Sequence, residues 1–586
     1  MNWEDDNAIA GDSQDAASVL EKLQPHDNLK ELSIGCYYGA KFPSWLGDPS
    51  FINMVSLQLS NCKNCASLPP LGQLWSLQNL SIVKNDVLRK VGQEFYGNGP
   101  SSFKPFGSLQ TLVFKEMSEW EEWDCFGVEG GEFPCFNELH IECCAKLKGD
   151  LPKHLPLLTN LVILECGQLV CQLPKAPSIQ HLNLKECDEV VLRSAVHMPS
   201  LTELEVSNIC SIQVELPPIL HKLTSLRKLV IKECQNLSSL PEMGLPSMLE
   251  ILEIKKCGIL ETLPEGMIQN NTRLQKLSTE ECDSLTSFPS ISSLKSLEIK
   301  QCGKVELPLP EETTHSYYPW LTSLHIDGSC DSLTYFPLAF FTKLETLYIW
   351  GCTNLESLGI PDGLHNMDLT SLPSIHIQDC PNLVSFPQGG LPASNLRQLR
   401  IGYCNKLKSL PQRMHTLLTS LEDLEIYDCP EIVSFPEGGL PTNLSSLEIW
   451  NCYKLMESQK EWGLQTLPSL RKLSISGDTE EGSESFFEKW LLLPSTLISL
   501  QILNFPDLKS LDNLRLQNLT SLQTLRLYKC FKLKSFPTHG LPSSLSILLI
   551  RDCPLLIKRC QRDKGKEWPK IAHIPYVVMD GEVISS

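Results

Sequence analysis

The sequence is short of basic residues: 50 Lys and Arg stand against 69 Asp and Glu, a net charge of −19 over 586 residues. That balance argues against nucleic acid or an anionic membrane surface as the main partner. No stretch approaches the ~18 uninterrupted apolar residues that a spanning helix needs, so no membrane span is expected. The start, MNWEDDNAIAGDSQD, is acidic where a secretory leader has a basic and then an apolar stretch, which points to a cytoplasmic protein. Signatures of catalysis are missing too. Gly303-Lys304 and Gly565-Lys566 are followed by Val305 and Glu567, so neither closes a phosphate loop. Serine-hydrolase elbows, H-E-x-x-H zinc motifs and the kinase set do not occur either. His325 and His376 fall at outward strand positions, with no Ser or Cys nucleophile at an equivalent site. The expectation is a non-enzyme with no catalytic, cofactor or metal site.

What is there is a repeat. The phrase L-x-x-L-x-I-x-x-C-x-x-L-x-x-[LF]-P returns as LRKLVIKECQNLSSLP from Leu226, LEILEIKKCGILETLP from Leu249, LEDLEIYDCPEIVSFP from Leu421 and LQTLRLYKCFKLKSFP from Leu522. Allowing one anchor to vary, 22 units run from Leu29 to Leu545, spaced about 25 residues apart. This is a leucine-rich repeat with Cys where many such repeats carry Asn.

The physics of one unit sets the fold class. In L-x-L, side chains alternate faces, so the Leu/Ile pair points inward and the residues between point out. One short strand cannot bury its apolar face alone, so the units stack into a parallel sheet. Forty prolines and so short a period leave little room for convex helices. The expected fold is a mostly β repeat solenoid within the α/β class: a leucine-rich repeat horseshoe with a parallel concave sheet and a convex side of loops and 3-10 turns.

Twenty-four cysteines would suggest a disulfide framework in a short secreted chain. Here fifteen share one repeat position: Cys62, Cys144, Cys166, Cys187, Cys234, Cys257, Cys282, Cys302, Cys352, Cys380, Cys404, Cys429, Cys452, Cys530 and Cys553. They read as a buried ladder of reduced thiols where the chain leaves each strand. Cys62-x-x-Cys65 has no second half to complete a zinc site.

Three regions are expected: a truncated lead-in over 1–26, the solenoid over 27–558, irregular near 85–135 and 477–495, and a C-terminal cap over 559–586. The acidic stretch EMSEWEEWDCFGVEGGEFP (Glu116–Pro134) holds Trp120 and Trp123, either packed on the convex side or offered as a binding loop. A second acidic excursion, GDTEEGSESFFEKW, runs over Gly477–Trp490. An uncapped first strand would leave an apolar edge prone to aggregation.

The outward strand positions change along the chain. Early units offer small or charged pairs, as in Glu205/Ser207, Glu253/Lys255 and Glu298/Lys300. Middle and late units offer Tyr348, Trp350, Arg400, Tyr427, Trp450, Arg526 and Tyr528. Trp, Tyr and Arg are the types enriched at binding hot spots, so these seven are the candidate partner-binding residues.

Several phrases also resemble the leucine-rich repeat region of plant intracellular nucleotide-binding (NB-ARC) immune receptors, the coiled-coil class of disease-resistance proteins. They are VLEKLQPHDNLKELSIGCYYGAKFPSWLGD (Val19–Asp48), LSNCKNCASLPPLGQLWSLQNLSI (Leu59–Ile82), VGQEFYGNG, EMSEWEEWD and the ending CPLLIKRC…EWPKIAHIP (Cys553–Pro575). The resemblance implies perception of a pathogen effector or a guarded host protein, in partnership with a nucleotide-binding switch module. The ADP/ATP module and coiled coil of the family do not occur in this sequence, so no nucleotide cofactor is expected. A leucine-rich repeat substrate receptor or scaffold without an immune role is the alternative.

Overall fold

The computed structural model describes residues 13–97, 104–125, 133–209, 220–241, 245–267, 273–307, 318–360, 369–458, 461–477, 492–562 and 564–585. It divides into two compact units, Met1–Pro289 and Ser290–Ser586. Each is a parallel leucine-rich repeat solenoid.

Among the described residues, the first unit stacks eleven five-residue strands, from Glu31–Gly35 to Lys276–Glu280. The second stacks eleven more, from Ser296–Lys300 to Ile547–Arg551. Register is set by the repeat: inward Leu faces inward Leu and inward Ile faces inward Ile, as in Leu399↔Leu424 and Ile401↔Ile426. A slip of one residue would turn both ladders to solvent, so the buried face locks the pairing. The two inward positions are buried in every strand, with Leu32, at 7%, the most exposed. The returning halves carry loops, 3-10 turns such as Leu71–Gln73 and Leu464–Thr466, and a few short α-helices such as Met414–Leu417. The loop and 3-10 convex side expected from the proline content is therefore present.

A regular device ends each strand, and the sequence reading saw only half of it. In all fifteen cysteine units the residue before the cysteine is left-handed, with φ between 45° and 65°. In most of them its N–H donates to the last carbonyl of the next strand, as in Asn61 to Val83 (2.8 Å) and Tyr403 to Tyr427 (2.8 Å), and Asp552 donates instead to the Asp580 carboxylate (2.8 Å). This kink turns the following cysteine inward. All fifteen thiols are buried and free. Each donates to the carbonyl two residues back, at 3.2 to 3.8 Å. Several also reach the inward carbonyl of the preceding strand, as Cys187 does to Ile163 (3.4 Å). Cysteine suits the place because it is small, apolar and still carries one weak donor. Burial pushes the Cys62 and Cys452 thiols up to about 12, far from the thiolate that would react.

The irregular stretch near 85–135 is filled by aromatics. Trp120 and Trp123 are buried, at 0% and 5% exposure. Their rings pack on Phe114 with centroids 4.6 and 5.3 Å away. Trp123 Nε1 donates to the Tyr96 hydroxyl (2.9 Å) and Trp120 Nε1 to the Glu122 carbonyl (2.8 Å). The two Trp are packed, as the first reading has it, while residues 126–132 of the stretch lie outside the described residues. The second excursion lies outside the described residues beyond Gly477.

At the start, the helix Ser13–Lys22 buries Leu20, whose carbonyl accepts from Trp45 Nε1 (3.1 Å). At the far end, Tyr576–Met579 adds a parallel strand to Ile547–Arg551, and Glu582–Ser585 turns back antiparallel on it. The buried Glu567 carboxylate ties this segment to the last repeats. It accepts from the Phe536 N–H (2.9 Å) and pairs with Lys570 (3.0 Å).

Candidate functional site

The open faces of the two units differ in chemistry. In the first, the outward strand positions form Lys/Glu pairs: Lys115 with Glu142 (2.9 Å), Lys185 with Glu165 (2.8 Å), Lys232 with Glu205 (2.7 Å), and Lys255 with Glu253 and Glu280 (3.2 and 3.5 Å). Half-exposed pairs of this kind contribute about 0–1 kcal/mol each to stability and largely neutralise one another. They leave a solvated, charge-balanced surface. Ser207, outward by its strand position, is only 5% exposed and does not belong to that surface.

In the second unit the outward row turns aromatic. Parallel register carries Asp327, Trp350, Gln378, Gly402, Tyr427 and Trp450 side by side along the strand ends. Trp350 is 42% exposed, high for so large an apolar side chain. Tyr427 and Trp450 pack edge to face at 4.9 Å, and Trp450 Nε1 donates to Ser474 Oγ (3.1 Å), so both rings are held in place. Together with Gln378, Asp379 and Tyr403, these three aromatics line a concavity of about 570 Å³.

Gly402 opens it. A Cβ there would stand 3.4 Å from Tyr427 Cβ, 3.5 Å from Tyr427 Cδ2 and 3.6 Å from Gln378 Cγ, in ordinary contact with both side chains. Tyr403, exposed at 53%, was missed by the sequence reading. It occupies the left-handed position before Cys404, a place assigned no outward role when only L-x-L is read as strand.

The other candidates fall into different surroundings. Tyr348 lies between His325 and His376, with ring centroids 4.1 and 6.0 Å away, and burial raises its phenol. Arg400 is committed to Glu425 through two hydrogen bonds, Nε to Oε2 (2.5 Å) and a terminal N–H to Oε1 (2.8 Å). The Tyr427 hydroxyl also donates to Glu425, and burial followed by that bond raises its phenol well above the ordinary value. Arg400 is therefore a brace for the aromatic wall, already paired before any partner arrives. Arg526 and Tyr528 line a second concavity, of about 680 Å³, with Leu503, Leu549 and Arg551 among its walls. The Tyr528 ring already faces two cations, Lys529 at 5.2 Å and Arg551 at 5.7 Å. The seven predicted residues thus make one aromatic concavity around Trp350, Tyr427 and Trp450, a histidine-flanked Tyr348, a braced Arg400 and a separate Arg526/Tyr528 hollow.

The R13L1/DRL21 leucine-rich repeat family model matches residues 1–85. An Arabidopsis thaliana protein named as a disease resistance protein is 33% identical over 99% of this chain and 48% of its own length. The chain belongs to the leucine-rich repeat regions of plant disease-resistance proteins. Disease resistance RPP13-like protein 1 of Arabidopsis thaliana is 38% identical over 41% of the chain and 24% of itself. Disease resistance protein RGA1 of Solanum bulbocastanum is 29% identical over 41% and 21%. The chain therefore spans about half the length of the first relative and about a quarter or less of the other two. Among solved structures, TLR13 in its complex with ssRNA13 aligns over 93% of this chain and 91% of that one, at 16% identity and a TM-score of 0.37. Among the described residues, no helix is long and apolar enough to cross a membrane.

Proposed function

We propose that this chain is the recognition surface of a plant intracellular immune receptor of the coiled-coil, nucleotide-binding class. A pathogen effector or a guarded host protein docks on the open face of the second unit, and a nucleotide-binding switch module elsewhere in the receptor reads the outcome. The chain itself carries out no catalysis, binds no nucleotide and works in the cytoplasm. The observation that carries this reading is the wall of Trp350, Tyr427 and Trp450 around one concavity, set against the charge-balanced face of the first unit. Rigid aromatics at a concave, half-exposed surface supply large contact area at low entropic cost, which is what binding hot spots require. The relatives named as disease resistance proteins supply the biological setting.

The test is the Trp350→Ala/Trp450→Ala double variant in a receptor that carries this region. Gln58→Ala, an exposed position on the open face of the first unit, is the control. At a hot spot each truncation costs the partner about 2 kcal/mol, close to thirtyfold in affinity. Elicitor-triggered cell death in leaves is expected to be lost in the double variant and kept in the control. A folded double variant that still responds normally would refute the assignment of this face.

A further inference from the structure

We propose that the Trp350–Trp450 concavity is a socket for an arginine side chain presented by the protein partner. This rests on the second unit being the recognition face and adds the chemistry of the group that enters it. Aromatic faces attract cations through their quadrupoles, and a planar guanidinium stacks on them better than an ammonium does. Trp350, Tyr427, Trp450 and the exposed Tyr403 supply four such rings around one hollow. Asp379 stands in the same lining, and its exposed carboxylate has no ion-pair partner among the described residues. The cation that could have satisfied the site from within, Arg400, is already held by Glu425 in a bidentate pair along its Nε edge. Glu448, on the adjacent strand, is likewise paired with Lys472. Arg400 with Glu425 and Lys472 with Glu448 are thus closed off in pairs, and of the residues lining the hollow Asp379 is the charged one that faces the incoming group.

Two backbone features fit a built socket. Gly402 interrupts the outward row, so that Tyr427 and Gln378, both in the lining, stand on either side of a position with no side chain. Tyr403, at the left-handed position shared by every cysteine unit, keeps half of its surface in water beside the strand ends. Its ring forms the rim of the hollow rather than part of the core. The volume, about 570 Å³, accommodates one long side chain together with part of its backbone. The chain's net charge of −19 favours a basic partner at long range.

The experiment uses the full chain labelled with 5-fluorotryptophan, followed by fluorine NMR, with single Trp→Phe variants to assign Trp350 and Trp450. The probe is an acetylated, amidated Gly-Arg-Gly-Arg-Gly peptide, and its control replaces each arginine by citrulline, which keeps the shape and removes the charge. The arginine peptide is expected to shift the Trp350 and Trp450 signals, with an affinity about fivefold or more above that of the citrulline peptide. Asp379→Asn is expected to reduce that preference. Gly402→Leu, whose side chain would press on Tyr427 and Gln378 in the wall of the hollow, is expected to abolish the shifts in protein that thermal unfolding shows to be folded. Equal binding of the two peptides, shifts confined to other tryptophans, or undiminished binding in a folded Gly402→Leu protein would each overturn the proposal. Absence of an arginine preference, with recognition still lost in the Trp350→Ala/Trp450→Ala receptor, would refute the socket and leave the recognition face standing.

Discussion

Cys404→Asp tests the thiol ladder where it borders the aromatic concavity. Cys404 is fully buried, and its Sγ donates to the Gly402 carbonyl at 3.3 Å. The thiol of Cys429, at the same position of the next unit, donates likewise to the Tyr427 carbonyl (3.2 Å). An ionised Asp side chain has no donor, so at neutral pH it would face the Gly402 oxygen with a second acceptor. It would also lose its hydration with no cation in reach. An isolated buried carboxylate cannot be kept charged at that cost and takes up a proton instead. Leaving one buried charge without its partner costs about 3–5 kcal/mol, which sets the scale of the loss near pH 7. The sign of the pH dependence follows from the raised folded pKa. The destabilisation is smallest below the ordinary Asp value of about 3.9, where both states are protonated, and grows as pH rises from there. Cys404→Ala, which removes only the methylene-scale packing and one weak bond, should cost about 1–2 kcal/mol. Urea unfolding of wild type and both variants, followed at several pH values, gives the differences directly. Because long repeat arrays need not unfold in one step, the first transition in which Cys404 takes part is the one to compare. A Cys404→Asp loss under about 1 kcal/mol at pH 7 would mean that water reaches the ladder, and the account of the cysteine position would be wrong.

Other expectations follow from the same geometry. Under native conditions iodoacetamide should modify the exposed Cys135 first and label the fifteen ladder thiols only after denaturation, as read by peptide mass spectrometry; ready native labelling or disulfides among the fifteen would contradict the ladder. Lys256 sits at φ 56° with its side chain in solvent, so Lys256→Gly should leave stability unchanged or raise it by up to about 1 kcal/mol, whereas Lys256→Val should lower it by about 1–2 kcal/mol; equal effects in thermal unfolding would refute the left-handed turn. Burial lowers the pKa of both His325 and His376 from the ordinary 6.5, and the His325 Nε2 is buried without a hydrogen-bond partner. The groups facing them are mixed in sign: Lys300, Glu298 and Asp327 around His325, with Arg400 and Glu425 around His376. The folded state therefore holds fewer protons than the unfolded one just below pH 6.5, and the stability these two histidines contribute is present above 6.5 and lost as pH falls through their folded values. Melting temperature should drop between about pH 7 and about pH 5, and His325→Phe should flatten part of that drop; an unchanged slope would show that His325 titrates in water.

The repeat made most of the fold legible, because period and alternation each have a single structural solution. Leu at the second strand position and Ile at the fourth can be buried together only in register with their neighbours, so the parallel sheet and its core followed from spacing alone. The cysteine ladder was readable for the same reason. The kink that turns each cysteine inward was not, because it lives in backbone conformation. Glu165, Lys256, Gln301 and Tyr403 share one φ and almost nothing in side-chain chemistry.

That blind spot is why Tyr403 escaped the candidate list while Trp350 and Trp450 were found. Alternation assigns outward positions only within the strand, and the left-handed residue just beyond it also points to solvent beside the strand ends. Pairing was hidden as well. Arg400 looks like a hot-spot residue in sequence, yet its guanidinium is held in a bidentate pair by Glu425, which lies 25 positions further on and directly opposite in the next strand. In a solenoid, such cross-repeat pairs are set by register rather than by proximity in the chain. An outward charge is therefore available to a partner only when the same position in both neighbouring units fails to neutralise it. Asp379, followed by the neutral Tyr403 and preceded by Gly351 at the equivalent positions, meets that condition.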